Sequence, residues 1–234
     1  MKAKQLQSQK GEASSVLKEA KQGAETREEP CYRQRAEAVV WTERMLTALE
    51  NGVKGGKWYS LMDKVYGVRT LEAAWGKVER NSGSAGVDGM SCEKFRTNQS
   101  RYLLELQASL RAGSFKPEAV RRVYIPKGKG GQRPLGIPTV SDRVVQTALK
   151  MVLEPIFEKA FLPTSYGFRP GRGCKDALRE VDGLIKSGHT WVVDADLKSY
   201  FDSIARTGLL DRVKEKIGDG RILSLLDSYL GQEI

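Results

Sequence analysis

The chain has 234 residues, a net charge of +10 and 40% hydrophobic residues, enough apolar content for a core and basic enough to favour a polyanionic partner, nucleic acid before an anionic membrane surface. A single histidine, His189, sets aside Ser-His-Asp chemistry and histidine-based metal centres, while Cys31, Cys92 and Cys174 form no C-x-x-C pair and indicate neither a disulfide framework nor a zinc site. No apolar run approaches membrane-spanning length and the first residues lack the apolar centre of a signal peptide, so a cytoplasmic protein with no membrane partner is expected.

Residues 1–33 are rich in Lys, Gln, Glu, Ala, Ser and Gly and are expected to form a disordered tail. Residues 34–82 are expected to be a helical extension. Ala38, Val39, Trp41, Met45, Leu46 and Leu49 recur at helical spacing from Arg35, and Asn51-Gly52 stops that helix. Beyond the linker at 54–57, a second helix is predicted with Thr70 as N-cap and Leu71, Ala74, Trp75 and Val78 as its apolar stripe.

The three glycines Gly83, Gly86 and Gly89 mark a loop, and a helix is predicted over roughly 102–111. Residues 120–125 then alternate apolar and basic side chains, which predicts a strand with one cationic face carrying Arg121 and Arg122. Pro126 ends it. A basic, glycine-rich turn with Lys127, Lys129 and Arg133 leads into a short return strand over 135–138. Glycine lets backbone approach a phosphate closely, and Lys and Arg supply charge and forked donors. The order of residues is not that of a Walker A loop.

A helix capped at Ser141-Asp142 is predicted to run to about Lys159, followed by a cationic loop at 163–174 in which Tyr166 and Phe168 interleave with Arg169 and Arg172. Such a loop suits backbone phosphates and stacked bases, or equally a loop anchored by its own aromatics. A helix over 174–186, a strand over 190–195 and helices over 207–217 and 221–230 complete the chain. Helices and strands intermix without a βαβ repeat, so the fold class is α+β.

The strand at 190–195 carries the main chemical signal. The run Trp191-Val192-Val193 ends in Asp194 and Asp196, with Asp202 beyond. Alternation puts Asp194 and Asp196 on one face, so both are candidate Mg²⁺ ligands, while Asp202 reads better as a helix cap or ion-pair partner. Phosphoryl transfer needs such carboxylates together with cations around the phosphates, which the turn at 127–133 supplies.

Five segments in order resemble the reverse transcriptases encoded by group II introns. They are Gly83–Gly89, Tyr124–Pro138, Asp142-Arg143-Val144-Val145-Gln146, Ser165–Gly173 and Val193-Asp194-Ala195-Asp196-Leu197-Lys198-Ser199-Tyr200-Phe201-Asp202. The resemblance, which covers roughly residues 36–234, implies a right-hand polymerase fold, with fingers at 83–190 and a partial palm at 191–234 after the N-terminal helices. It implies RNA-directed DNA polymerisation with two Mg²⁺ ions, and intron RNA, template RNA, a DNA primer and dNTP as partners. Asp196 would be the catalytic aspartate and metal ligand, joined by the backbone carbonyl of Leu197. Lys127 and Arg133 would clamp the triphosphate, and Phe201 would lie under the sugar and exclude a 2′-hydroxyl. Arg121, Arg122, Arg143, Arg169 and Arg172 are candidate nucleic-acid contacts.

The family's second acidic motif, Tyr-Ala-Asp-Asp, does not occur in this sequence, and Asp211, Asp219 and Asp227 fall in helical, polar contexts. The chain is therefore expected to be the N-terminal portion of a longer polymerase or a truncated product, without polymerase activity alone, and with apolar surface exposed around 191–195. The alternatives are a non-catalytic RNA-binding remnant and a reverse transcriptase of a related retroelement or defence system.

Overall fold

The structure is a computed structural model and describes residues 37–128, 130–197 and 200–232; the tail expected at 1–33 lies outside the described residues. The described residues mix helix and strand, with helices predominating and a single two-stranded sheet among them. Two compact units divide the chain. One comprises Ala36–Lys159 with Val193–Ile234, and the other includes Ala160–Val192.

The first unit begins with a turn at 38–40 and helix α1, Glu43–Asn51. The helix starts later than its apolar spacing predicts because Thr42 is the N-cap, its side chain accepting from the Met45 N–H. Val39 consequently lies outside the helix and is exposed, while Val40 and Trp41 are buried. Lys159 Nζ donates to the Leu49 carbonyl at 2.8 Å and to that of Glu50 at 3.2 Å, satisfying carbonyls that the end of α1 leaves open. Trp41 Nε1 donates to the buried Met151 carbonyl at 3.1 Å, and its ring meets Trp58 edge-on at 5.4 Å.

Helix α2, Met62–Val65, leads into α3, Val68–Asn81. The N-cap of α3 is Gly67 rather than Thr70, which lies in the first turn and is buried. Helices α4, Cys92–Thr97, and α5, Gln99–Ala112, follow. The sequence reading has no counterpart of α4 and begins α5 three residues late. Ser91 caps α4, its hydroxyl accepting from the Lys94 N–H at 3.2 Å. The buried Phe95 of α4 stacks on Trp75 at 4.5 Å and meets Tyr102 at 5.0 Å, so one aromatic ties α4 to α3 and α5.

The hairpin β1, Arg121–Pro126, and β2, Gln132–Ile137, precedes the longest helix, α6, Val140–Glu158. Helix α6 is the centre of the core. It packs on α3 and α2, and Val140, Val144, Val145, Ala148 and Val152 are completely buried along it. Its stripe follows the predicted spacing, but the cap is Thr139. The Thr139 hydroxyl accepts from the Asp142 N–H at 3.1 Å and donates to Asp142 Oδ2 at 2.7 Å.

After the short helix α8, Tyr200–Ser203, helices α9, Arg206–Lys214, and α10, Gly220–Leu230, pack together. They are tied to the front of the chain by a parallel bridge in which the Trp58 N–H donates to the Lys216 carbonyl and the Gly218 N–H to the Trp58 carbonyl, both at 2.7 Å.

The second unit holds the loop 160–173 and helix α7, Cys174–Lys186, whose bounds match the expectation. Apolar residues at helical spacing, Leu178, Val181, Leu184 and Ile185, all lie exposed.

The strand expected at 190–195 does not form: residues 191–197 have no regular structure. The one ladder among the described residues is β1 with β2. A strand is held by hydrogen bonds to a neighbour, and with none available the run stays solvated despite its β-branched and aromatic composition. Trp191, Val192 and Val193 are correspondingly exposed, matching the expectation of uncovered apolar surface but as irregular chain rather than a strand edge.

Candidate nucleic-acid and nucleotide interface

The hairpin is the best-defined cationic feature. Its register pairs Arg121 with Ile137, Val123 with Leu135 and Ile125 with Arg133. Opposed residues of an antiparallel pair share a face, so Arg121 and Arg133 lie at the two ends of an apolar strip, while Arg122 shares the other face with Tyr124. This corrects the expected single cationic face: adjacent residues on a strand point to opposite sides, so Arg121 and Arg122 cannot share one.

The turn closes through a hydrogen bond from the Lys127 N–H to the Gly131 carbonyl and another from the Gly130 N–H to the Lys127 carbonyl, each 3.0 Å. Gly130 and Gly131 have φ of 87° and 84°, a conformation that strongly favours glycine. Lys127 and Arg133 flank this turn, both exposed and neither ion-paired among the described residues. No Asp or Glu lies between Glu118 and Asp142, so the hairpin segment itself carries only basic charges.

The glycine loop at 83–89 is docked on the start of α6. A Cβ on Gly86 would lie 2.7 Å from both Thr139 Cα and Thr139 N, so only glycine permits this approach. Arg143 Nη1 donates to the Ser82 carbonyl at 2.9 Å and Nη2 to the Ser84 carbonyl at 3.0 Å. Arg143, predicted as a nucleic-acid contact, thus spends two donors shaping the loop.

In the second unit, Arg169 points inward. Its guanidinium is buried, donates from Nη1 to the Leu162 and Ser165 carbonyls at 2.6 and 2.7 Å, and sits 5.3 Å over the Phe161 ring. Arg172 donates to the Pro163 carbonyl and lies 5.5 Å over Tyr166. Of the two readings of this loop, internal anchoring describes both arginines and Tyr166. Phe168 is the opposite case: 96% exposed, with φ of 56°.

Asp194 and Asp196 lie exposed on the irregular segment, with Leu197 and Phe201 also exposed. Phe201 meets the Tyr200 ring at 5.5 Å. Among the described residues no three metal-ligating side chains converge, and the alternation expected to align Asp194 with Asp196 is absent because the strand is absent. The donor set at Asp196 and the Leu197 carbonyl does not by itself fit a preorganised Mg²⁺ centre, which demands near-octahedral oxygen geometry. The Asp202 side chain lies outside the described residues.

The sequence reading missed the burial of two carboxylates, Asp219 and Asp142. In the sequence Asp219 falls in a helical, polar context. Instead it is buried at the start of α10, with Oδ1 accepting from the Arg221 and Ile222 N–H groups at 3.0 and 3.3 Å and Oδ2 from Leu61 and Met62 at 2.7 and 2.9 Å. Its position directly before Gly220-Arg221-Ile222 is an N-cap signal legible in sequence; the second pair of donors, some 158 residues away, is not. Burial pushes the Asp219 carboxyl up, but the four backbone donors together outweigh it and hold it below the usual range. Asp142, at the start of α6, goes the other way, raised chiefly by burial.

Residues 125–231 match the model of the reverse transcriptase (RNA-dependent DNA polymerase) family. The chain is similar to Protein YkfC of Escherichia coli, 43% identical over 145 residues, 60% of this chain and 38% of that protein. It is similar to the group II intron-encoded protein LtrA of Lactococcus lactis, 37% identical over 145 residues, 62% of this chain and 23% of that protein. A third relative is the putative COX1/OXI3 intron 1 protein of Saccharomyces cerevisiae, 32% identical over 171 residues, 73% of this chain and 20% of that protein. The aligned part thus spans between about a fifth and two-fifths of the length of these relatives.

Proposed function

The chain belongs to the group II intron reverse transcriptase/maturase family, and from that premise we propose that it supplies the nucleic-acid-binding and nucleotide-facing part of an RNA-directed DNA polymerase. The observation that carries this reading is the carboxylate-free cationic hairpin. Arg121, Arg122 and the turn present charge to a phosphate backbone from both faces, which fits a strand of RNA or DNA lying across or around the hairpin. Lys127 and Arg133, which flank the tight turn, suit a dNTP triphosphate. Phe201, exposed beside Tyr200, is proposed as the sugar-sensing residue.

Asp196 and the Leu197 carbonyl are carried forward as the family-implied Mg²⁺ ligands. Among the described residues no further metal-ligating side chains converge with them. This favours a second reading for the chain by itself, nucleic-acid binding without nucleotidyl transfer. Primer extension on an RNA template by the purified chain, abolished by Asp196→Ala, would overturn that second reading.

Binding of RNA is expected to weaken steeply as salt rises, because phosphate contacts release counterions. Arg121→Ala is expected to lower the slope of log K against log salt by about 1 and to weaken binding to all sequences alike. Filter binding or fluorescence anisotropy between low and moderate salt measures both. A slope near zero for the unaltered chain, or one unmoved by substituting Arg121, Arg122, Lys127 and Arg133 together, would remove the basis for the proposal.

A further inference from the structure

A cleft of about 400 Å³ opens between residues 59–66 and the start of α10, lined in part by Tyr59, Tyr66 and Arg221. Tyr59 is 63% exposed, yet its backbone is pinned on both sides. Before it, Trp58 is paired through its N–H and carbonyl to the strand-like stretch Lys216–Gly218; after it, the Leu61 and Met62 N–H groups bond Asp219. Ser60, between these anchors, has φ of 55°, a conformation non-glycine residues seldom adopt and which persists only where surrounding contacts impose it.

The Tyr59 ring is also placed. A Cβ on Gly218 would fall 2.3 Å from ring carbon Cε1, so glycine at 218 is what lets the ring lie down against the backbone. Across the cleft, the Arg221 guanidinium lies 5.6 Å over the Tyr66 ring and donates from Nη2 to the Leu110 and Arg111 carbonyls at 2.5 and 2.8 Å. The cleft therefore holds a fixed, solvent-open aromatic ring and a fixed guanidinium plane, the two surfaces on which unpaired bases stack.

We propose that this cleft takes an unpaired RNA base, stacked on Tyr59. The proposal rests on the nucleic-acid reading above and adds a contact outside the hairpin and every motif named in it. Charge favours RNA over a protein partner. The exposed Lys57 and Lys216 flank the Trp58 bridge, the Asp63 carboxylate is paired with Lys64 at 2.8 Å, and the Asp219 carboxylate is consumed by backbone donors, so the acids lining the cleft are already compensated.

The test uses single-stranded RNA containing 2-aminopurine, whose fluorescence is quenched by stacking. Tyr59→Leu, which keeps an apolar side chain against Gly218 but loses the ring, is expected to weaken binding about 5- to 100-fold and abolish the quench. Tyr59→Phe is expected to retain both. The salt slope and the affinity for duplex RNA are expected to be unchanged, since stacking adds no phosphate contact. Equal denaturation midpoints for the Leu and Phe variants exclude a folding effect. If the unaltered chain binds RNA with a steep salt slope but Tyr59→Leu keeps affinity and quench, the stacking site falls and the nucleic-acid reading stands. If the unaltered chain binds no RNA, both fall. Loss of association with a protein, with RNA affinity intact, assigns the cleft to protein and overturns the proposal.

Discussion

Asp219→Ala is expected to lower stability by about 3 kcal/mol, from the loss of the α10 N-cap, about 1–2 kcal/mol, and of the acceptor of two buried N–H groups, about 1–3 kcal/mol. One carboxylate serves both the start of α10, through Arg221 and Ile222, and the entry to α2, through Leu61 and Met62. Leu61 and Met62 are buried, so their N–H groups have no ready access to water when the acceptor is removed. For a chain of this size the loss corresponds to a fall of about 6–12 °C in Tm. Asp219→Asn is expected to fall between the two, because an amide offers one acceptor oxygen and turns an N–H₂ toward one of the two donor pairs.

The pH dependence of the same residue follows from its lowered pKa. The unfolded carboxyl titrates near ~3.9, and the folded one below it. The stabilisation is therefore complete above the unfolded value and disappears as pH falls through the folded value. Urea denaturation of the unaltered chain and Asp219→Ala should give midpoints that are well separated at neutral pH and converge in acid. A separation that persists undiminished below both values would mean that the carboxylate is not the stabilising species.

What the sequence shows and what it hides divide along the range of the interactions involved. The bounds of α7 follow from a local pattern: Gly173 before it, an apolar residue every third or fourth position, and Ser187-Gly188 after it. The stripe of α6 is legible for the same reason. The segment 191–195 has an equally clear strand pattern, but a strand is a pairing between distant residues and no neighbour is present among the described residues to complete it. Thr70 resembles a cap by type, yet the chain turns into helix three residues earlier at Gly67, where the tertiary contact of α2 with α3 sets the corner.

The candidate site divides the same way. Lys127 and Arg133 are legible as candidates because they flank one short glycine-rich turn, a local pattern. Arg169 was legible as a cation but not as a buried one, since its partners are the carbonyls its own loop folds toward it. The Tyr59–Arg221 cleft has no local signature at all, because its two sides are about 160 residues apart and meet through the bridge between Trp58 and Ile217, the Asp219 hydrogen bonds to Leu61 and Met62, and the Arg221–Tyr66 contact.

Tyr229→Phe is expected to cost about 2 kcal/mol at pH 7 and less in acid. The Tyr229 hydroxyl on α10 donates to Asp142 Oδ1 at 3.1 Å, while Asp142 Oδ2 accepts from the Thr139 hydroxyl and from the Glu118 N–H at 3.2 Å. Asp142 is all but inaccessible, and removing one donor to a buried charge costs more than removing one to a neutral acceptor. Burial is the main cause that raises the Asp142 carboxyl, and the Asp88 charge adds to it, against the lowering by its three donors. Burial and the adjacent Asp142 charge together push the Tyr229 hydroxyl far above its ordinary value, so it stays a neutral donor throughout.

The sign is thus opposite to that of Asp219. A folded carboxyl raised above its unfolded value favours the fold below the unfolded value, and this contribution is lost as pH rises through the folded one. Deleting the Tyr229 hydroxyl raises the Asp142 carboxyl further and extends that loss to higher pH. The difference in urea midpoint between Tyr229→Phe and the unaltered chain should therefore widen from acid to neutral pH. A difference independent of pH would show that Asp142 remains protonated in the fold, and that Tyr229 fastens α10 to α6 through a neutral hydrogen bond.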